Sequence, residues 1–283
     1  MKRILVPVDF SPTSIKAFRY AVEIASKSGG NIILYHLYTP AKSTTVGVFE
    51  NVRAYNQELE TNNLKRLQRL KKKVLSDSVD VPVSTLVGRP PVVNNILGFA
   101  EHNEIDMIVM GTQGASGLKK VVVGSIAAKI LEKTDIPVLL VPEKFEWVPL
   151  EKIAFTTTFE RTDKKALPLV FEIATFYDAL VTFVNLRDLH NRFDTTEEDN
   201  FDTYAYSLQR EFDDSRIQFK QLKTNSIVKT MENLHEEIPY DLLVMARRKK
   251  GFLNRFFQKS FTKKNGLHYK TTFAGNTGRI MLV

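Results

Sequence analysis

The chain contains no cysteine, which removes disulfides, thiolate metal sites and thiol nucleophiles. It has no apolar run of the roughly 18–20 residues that a membrane-spanning helix needs. Its start, Met1-Lys2-Arg3 running into Ile4-Leu5-Val6-Pro7-Val8-Asp9, offers an apolar stretch too short, and broken too early by proline and aspartate, for a signal peptide. The expectation is a cytoplasmic protein. Histidine is sparse: His36, His102, His190, His235 and His268 show no metal-ligand spacing. His36 falls on a predicted strand, where a satisfied structural role is the simpler reading. Neither H-E-x-x-H nor G-x-S-x-G occurs. Enzymatic activity as a main role therefore has no support from a positioned nucleophile or metal, and the expectation is a protein that is not an enzyme.

What is present is ordinary in amount. With 283 residues, 43% hydrophobic and 25% charged, two folded domains are expected and disorder is not. The formal net charge of +8 bears on solubility and non-specific attraction more than on fold. Lys65–Lys73 is a basic run on a predicted helix, best read as a solvated face. Arg247-Arg248-Lys249-Lys250 is a basic tetrad, and Glu197–Asp214 is acidic.

The chain repeats itself, and a repeat constrains architecture. Ile105-Asp106-Met107-Ile108-Val109-Met110 returns as Tyr240-Asp241-Leu242-Leu243-Val244-Met245. Ile4-Leu5-Val6 has an echo in Ile153-Ala154-Phe155, and Tyr35-His36-Leu37 in Val184-Asn185-Leu186. In the first copy, short and nearly continuous apolar runs predict buried strands over 2–8, 31–37, 83–87, 107–110 and 137–141. Helical patterns lie between them. Ser11-Pro12 marks an N-cap and first helical position, and Gly29-Gly30 a stop. A long polar helix is predicted near 51–75, another helix runs through Phe99, and a last one begins near Ser125. This alternation predicts an α/β fold: two tandem, doubly wound, five-stranded parallel-sheet domains of Rossmann-like type, over residues 1–145 and 150–283. Trp147-Val148-Pro149 serves as a linker between domains that pair within the chain. Ligands of such sheets bind at the carboxyl ends of the strands.

The densest chemical signal is Gly111-Thr112-Gln113-Gly114, then Gly124-Ser125 at a helix start, in the pattern G-x2-G-x9-G-S. Glycines directly after a buried strand let backbone amides approach an anion. A helix N-terminus adds N–H groups, a hydroxyl and a positive dipole end. A plain glycine-rich surface connection with Ser125 as an N-cap fits the same residues. It is neither a Walker loop nor a dinucleotide fingerprint.

Val6-Pro7-Val8-Asp9-Phe10-Ser11, Gly88-Arg89-Pro90, Asp106–Thr112 with its G-x2-G-x9-G-S loop, and Ile136-Pro137-Val138-Leu139-Leu140-Val141-Pro142 together resemble the universal stress protein family. The motifs span the first copy in the family's order. The resemblance implies the ATP-binding branch, in a tandem form with a regulatory part in stress response. It implies that Pro7, Val8 and Asp9 meet the adenine and ribose and that Leu37 lines the base pocket. Gly111, Gly114, Gly124 and Ser125 would hold the phosphates, flanked by Met110 and Ile126. The cofactor implied is ATP, with Mg as an optional companion. The partners are an unidentified protein and a second copy of the chain in a homodimer. Slow hydrolysis through Asp9 and Ser125 is an alternative to binding alone.

The second copy has lost this pattern. The three loop glycines become Ala246, Lys249 and Lys259, Asp9 becomes Thr158, and only Ser260 survives. A degenerate domain that keeps the fold is the preferred reading, with anionic lipid or nucleic acid binding by Arg247–Lys250 as its alternative. The chain end from Leu267 lacks the Ile-Pro-Val core of the first copy's fifth strand, although Ile280–Val283 can still form one.

Overall fold

The computed structural model describes residues 1–41, 49–75, 80–114, 120–122, 124–142, 148–157, 161–189, 196–212, 215–246, 272–274 and 279–282. Thr158, the tetrad Arg247–Lys250, Lys259, Ser260, Trp147 and residues 267–271 lie outside them. The chain forms two compact units, Met1–Thr112 with Ser125–Glu143, and Gln113–Gly124 with Lys144–Val283.

In the first unit the elements follow the sequence closely: β1 (Arg3–Pro7), α1 (Pro12–Ser28), β2 (Asn31–Leu37), α2 (Phe49–Val74), β3 (Val83–Gly88), α3 (Val92–His102) and β4 (Met107–Gly111). The short β5 (Gln113–Gly114) and β6 (Lys120–Val122) come next in the chain, followed by α4 (Ser125–Lys133) and β7 (Val138–Val141). The sheet runs β3-β2-β1-β4-β7, all parallel. Ile4, Leu5 and Val6 of β1 and Met107, Ile108 and Val109 of β4 are 0% exposed, which is why these strands read as unbroken apolar runs. α1 begins on a Ser11 N-cap whose side chain accepts from the Ser14 amide, with Pro12 in the first turn. It buries Ala17, Phe18, Ala21, Ile24 and Ala25, the stripe that a 3.6-residue period places on one face.

The second unit repeats the plan with β8 (Lys152–Thr157), α5 (Arg161–Tyr177), β9 (Leu180–Asp188), α6 (Thr196–Phe212), β10 (Ile217–Thr224), α7 (Ile227–Glu232), α8 (Leu234–Glu237), β11 (Leu242–Met245), β12 (Thr272–Ala274) and β13 (Arg279–Leu282). Its parallel sheet runs β10-β9-β8-β11-β13. Each unit thus has the strand order third, second, first, fourth, fifth. Ile280 stands opposite Leu243, so the chain end does supply the fifth strand. Phe155 and Phe183, both 0% exposed, meet edge to face at 5.4 Å and centre this core.

Gln113–Gly124 joins the second unit through a ladder the sequence does not advertise. β5 and β6 pair as a hairpin, and β12 adds antiparallel to β6 with Phe273 opposite Val121. The expected domain limits had put this segment with the first domain.

The repeat's shared residues do structural work. Asp106 Oδ2 accepts the amides of Lys2 at 2.6 Å and Arg3 at 2.8 Å. Asp241 Oδ2 accepts those of Glu151 at 3.0 Å and Lys152 at 2.9 Å. The aspartate of each copy therefore ties the start of the fourth strand to the start of the first. Helix ends are repeated too: Gly30 N–H donates to Ala25 O at 3.1 Å and Ala179 N–H to Ala174 O at 2.9 Å. Gly29 supplies the left-handed turn with φ 65°, where the second copy uses Asp178 with φ 51°. Asp106→Ala and Asp241→Ala each remove the acceptor of two amides. Each should lower the unfolding free energy by about 1–2 kcal/mol in a denaturant titration.

Candidate functional site

In this strand order the connections leave β1 and β4 in opposite directions, which opens a crevice at their carboxyl ends. The register Leu5–Ile108, carried two residues forward, sets Pro7 level with Met110. Pro7, Leu37 and Gly111 each end their strands on this rim.

The chain leaving β1 turns sharply. Val8, 3% exposed, still donates to Tyr35 O at 2.9 Å. Asp9 is exposed, and its Oδ1 accepts from Ser11 N at 2.9 Å and from Ser11 Oγ at 2.5 Å. That is an aspartate turn closed on the helix cap. Partial burial pushes the Asp9 carboxyl upward, but hydrogen bonds from the Ser11 hydroxyl and amide and from Ser14 outweigh it, and the group sits below its ordinary value of 3.8. Asp9 is thus a carboxylate at neutral pH, an acceptor only.

Between these two residues Phe10 adopts φ 64°. For an L residue this left-handed conformation costs about 1–2 kcal/mol and needs support from its surroundings. The Phe10 ring lies 4.6 Å from the His36 ring, and Arg66 of α2 places its guanidinium carbon 4.0 Å from the Phe10 ring centre. The cation contributes about 0.5–1 kcal/mol at such a site. His36 Nδ1 stands 2.7 Å from Val8 O, so the structural role expected of this histidine is met by a named bond. Sequence reasoning did not single out Phe10 or Arg66; their encounter depends on how α2 lies over the sheet.

On the other side of the crevice, Met110 is 6% exposed and belongs to the sheet core. Gly111 has a packing reason to be glycine. A Cβ there would stand 2.5 Å from the Thr13 carbonyl carbon and 2.6 Å from its oxygen, so the first turn of α1 packs directly on the end of β4. Thr112, 0% exposed, donates its amide to Val141 O at 2.9 Å. Gly114 lies on β5 opposite Val121. Gly124 directly precedes Ser125, the exposed first residue of α4, and Ile126 is 42% exposed. An exposed hydroxyl at a helix start followed by an exposed isoleucine suits a ligand with a polar and an apolar part. Leu37 is half-buried at the end of β2.

A second cluster sits beyond β2 and β3. Glu60 Oε2 accepts from Tyr38 Oη at 3.0 Å and meets Arg89 Nη2 at 3.5 Å. Arg89 thereby gives the Gly88-Arg89-Pro90 motif a bond to α2, beside an open groove of about 790 Å³ that also touches Arg53, Asn56 and Gln57. Among the described residues, no group of three acids or histidines is placed to hold a metal, and no helix is long and apolar enough to cross a membrane.

The profile of the Universal stress protein family matches residues 1–142. A universal stress protein of Methanocaldococcus jannaschii is 31% identical over 142 residues, which cover 50% of this chain and 81% of that protein. The universal stress protein YxiE of Bacillus subtilis is 30% identical over 146 residues, covering 49% of this chain and 97% of YxiE. The crystal structure of a universal stress protein from Archaeoglobus fulgidus superposes with a TM-score of 0.69 at 14% identity, covering 99% of this chain and 97% of that one. This last likeness shows that the tandem fold extends through both copies.

Gly111→Ala should lower stability by about 1–3 kcal/mol in chemical unfolding, because the added methyl meets backbone. The lowered Asp9 carboxyl fixes the sign of a pH effect. Its contribution is present above the unfolded carboxyl's ordinary value of 3.8 and is lost as pH falls through the lower folded value. The stability difference between the wild type and Asp9→Asn should therefore be flat above about pH 5 and shrink below about pH 4.

Proposed function

The chain belongs to the universal stress protein family, and on that premise we propose that it is an ATP-binding regulatory protein whose one nucleotide site is built on the first copy. The observation that carries this reading is the carboxylate of Asp9, held ionised by Ser11 at the end of β1 beside the crevice. An acceptor-only group repels phosphate. It suits the donors of a nucleoside, the exocyclic amine of adenine or the ribose hydroxyls.

The phosphates then belong at the start of α4, where Ser125 offers an exposed hydroxyl and the helix its amides and positive end. In this reading the family motif assigns Gly114 and Gly124 to backbone contact with them. Ile126 and Leu37 supply apolar surface to the base. A companion Mg would neutralise phosphate charge; among the described residues no acidic cluster is placed to hold it.

Bound ATP shifts the protein between conformations or assemblies only by its differential affinity for them, and a protein partner or a second copy reads the result. In this role Asp9 serves as a fixed, turn-forming carboxylate that accepts from the Ser11 amide and hydroxyl, and its task is binding, not hydrolysis. Titration calorimetry should give about one ATP per chain, and Gly114→Lys should abolish binding while the circular dichroism spectrum is kept. Two sites per chain, or undiminished affinity in that variant, would contradict the assignment.

A further inference from the structure

The two copies share a hydrogen bond made by different side chains. Ile4 stands opposite Ile32 and Ile153 opposite Val181 in the two sheets, which makes His36 and Asn185 equivalent positions. His36 Nδ1 lies 2.7 Å from Val8 O. Asn185 Nδ2 donates to Thr157 O at 3.2 Å, and Val8 and Thr157 are likewise equivalent. In each unit the second strand thus reaches across to the carbonyl at which the chain leaves the first. That carbonyl belongs to a residue 3% exposed in either copy, so the side-chain hydrogen bond is made where water has little access. The acceptor also settles the donor: a carbonyl has no proton to give, so His36 carries its hydrogen on Nδ1, as the amide of Asn185 does on Nδ2.

We propose that His36 is a positioning residue of the nucleotide site. Its Nδ1–H anchors Val8, and its ring backs Phe10. The hydrogen bond holds the left-handed turn at Phe10 and so places the Asp9 carboxylate that faces the nucleoside, and the ring contact adds a smaller part. The group has the requirements of a fixed brace. It touches the residues on either side of Asp9, it sits half-buried, and Arg66 also stands over the Phe10 ring at 4.0 Å. The second copy keeps the bond with a side chain that does not titrate and has no ring. The bond is therefore the part the architecture needs, and the ring over Phe10 belongs to the copy that carries the aspartate. The proposal rests on the nucleotide reading for its link to affinity, and on the hydrogen bond alone for its structural part.

The test uses the full chain with His36→Leu and His36→Asn. Without nucleotide, long-range 1H–15N spectra of the wild type should show the Nδ1–H tautomer of His36. The Ser11 amide, which donates to Asp9 Oδ1 at 2.9 Å, should exchange at least about tenfold faster in His36→Leu and stay near the wild-type rate in His36→Asn. With ATP, His36→Leu should bind about tenfold or more weakly, and His36→Asn should recover affinity to within about threefold of the wild type. An Nε2–H tautomer, or unchanged Ser11 exchange in His36→Leu, overturns the positioning role whether or not ATP binds and whether or not the leucine variant is stable. Equal weakening by leucine and asparagine overturns the claim that the hydrogen bond carries it. Failure of the wild type to bind ATP, with the exchange pattern intact, overturns the nucleotide reading and leaves the brace standing.

Discussion

The chain must pass from β1, buried on both faces, into α1 within the four residues Val8–Ser11, and the site depends on how that turn is held. A strand in the centre of a doubly wound sheet has no spare room at its end. Here β4 lies alongside, and Gly111 touches the first turn of α1. The Asp9–Ser11 cap, the left-handed Phe10 and the bond between His36 and Val8 are one solution to one constraint. The Asp9 carboxylate that results is fixed in place by the turn itself.

The two copies show which features the fold itself requires. Asp106 and Asp241 hold first and fourth strands together in the same way, and Gly29 and Asp178 close the first helix of each copy with the same turn. Those features survive in both. The glycine pattern and the aspartate after the first strand survive only in the first copy. Gly114 of the first copy's motif lies on β5, and β5, β6 and β12 form one ladder within the second unit.

Much of the architecture was legible because each signal was local. Ser11-Pro12 and Gly29 bounded α1, the β2 run 31–37 matched to the residue, and the apolar run of β4 reported burial on both faces. The site was legible less evenly. Asp9, Ser125 and Ile126 stand exposed at the ends of the elements that the motifs mark, but the reason for Gly111 differs from the one its neighbours suggest: it makes room for Thr13, which sequence spacing does not reveal. Phe10 and Arg66 meet only because α2 crosses the sheet, and β12 pairs with residues far upstream. Contacts between distant segments depend on tertiary packing, and no periodicity encodes them.

That a single copy carries the nucleotide is tested most directly by photolabelling the full chain with 2-azido-ATP and mapping the modified peptides by mass spectrometry. The account predicts label confined to peptides from residues 1–142, competed away by unlabelled ATP. Competed label within the second copy would contradict it.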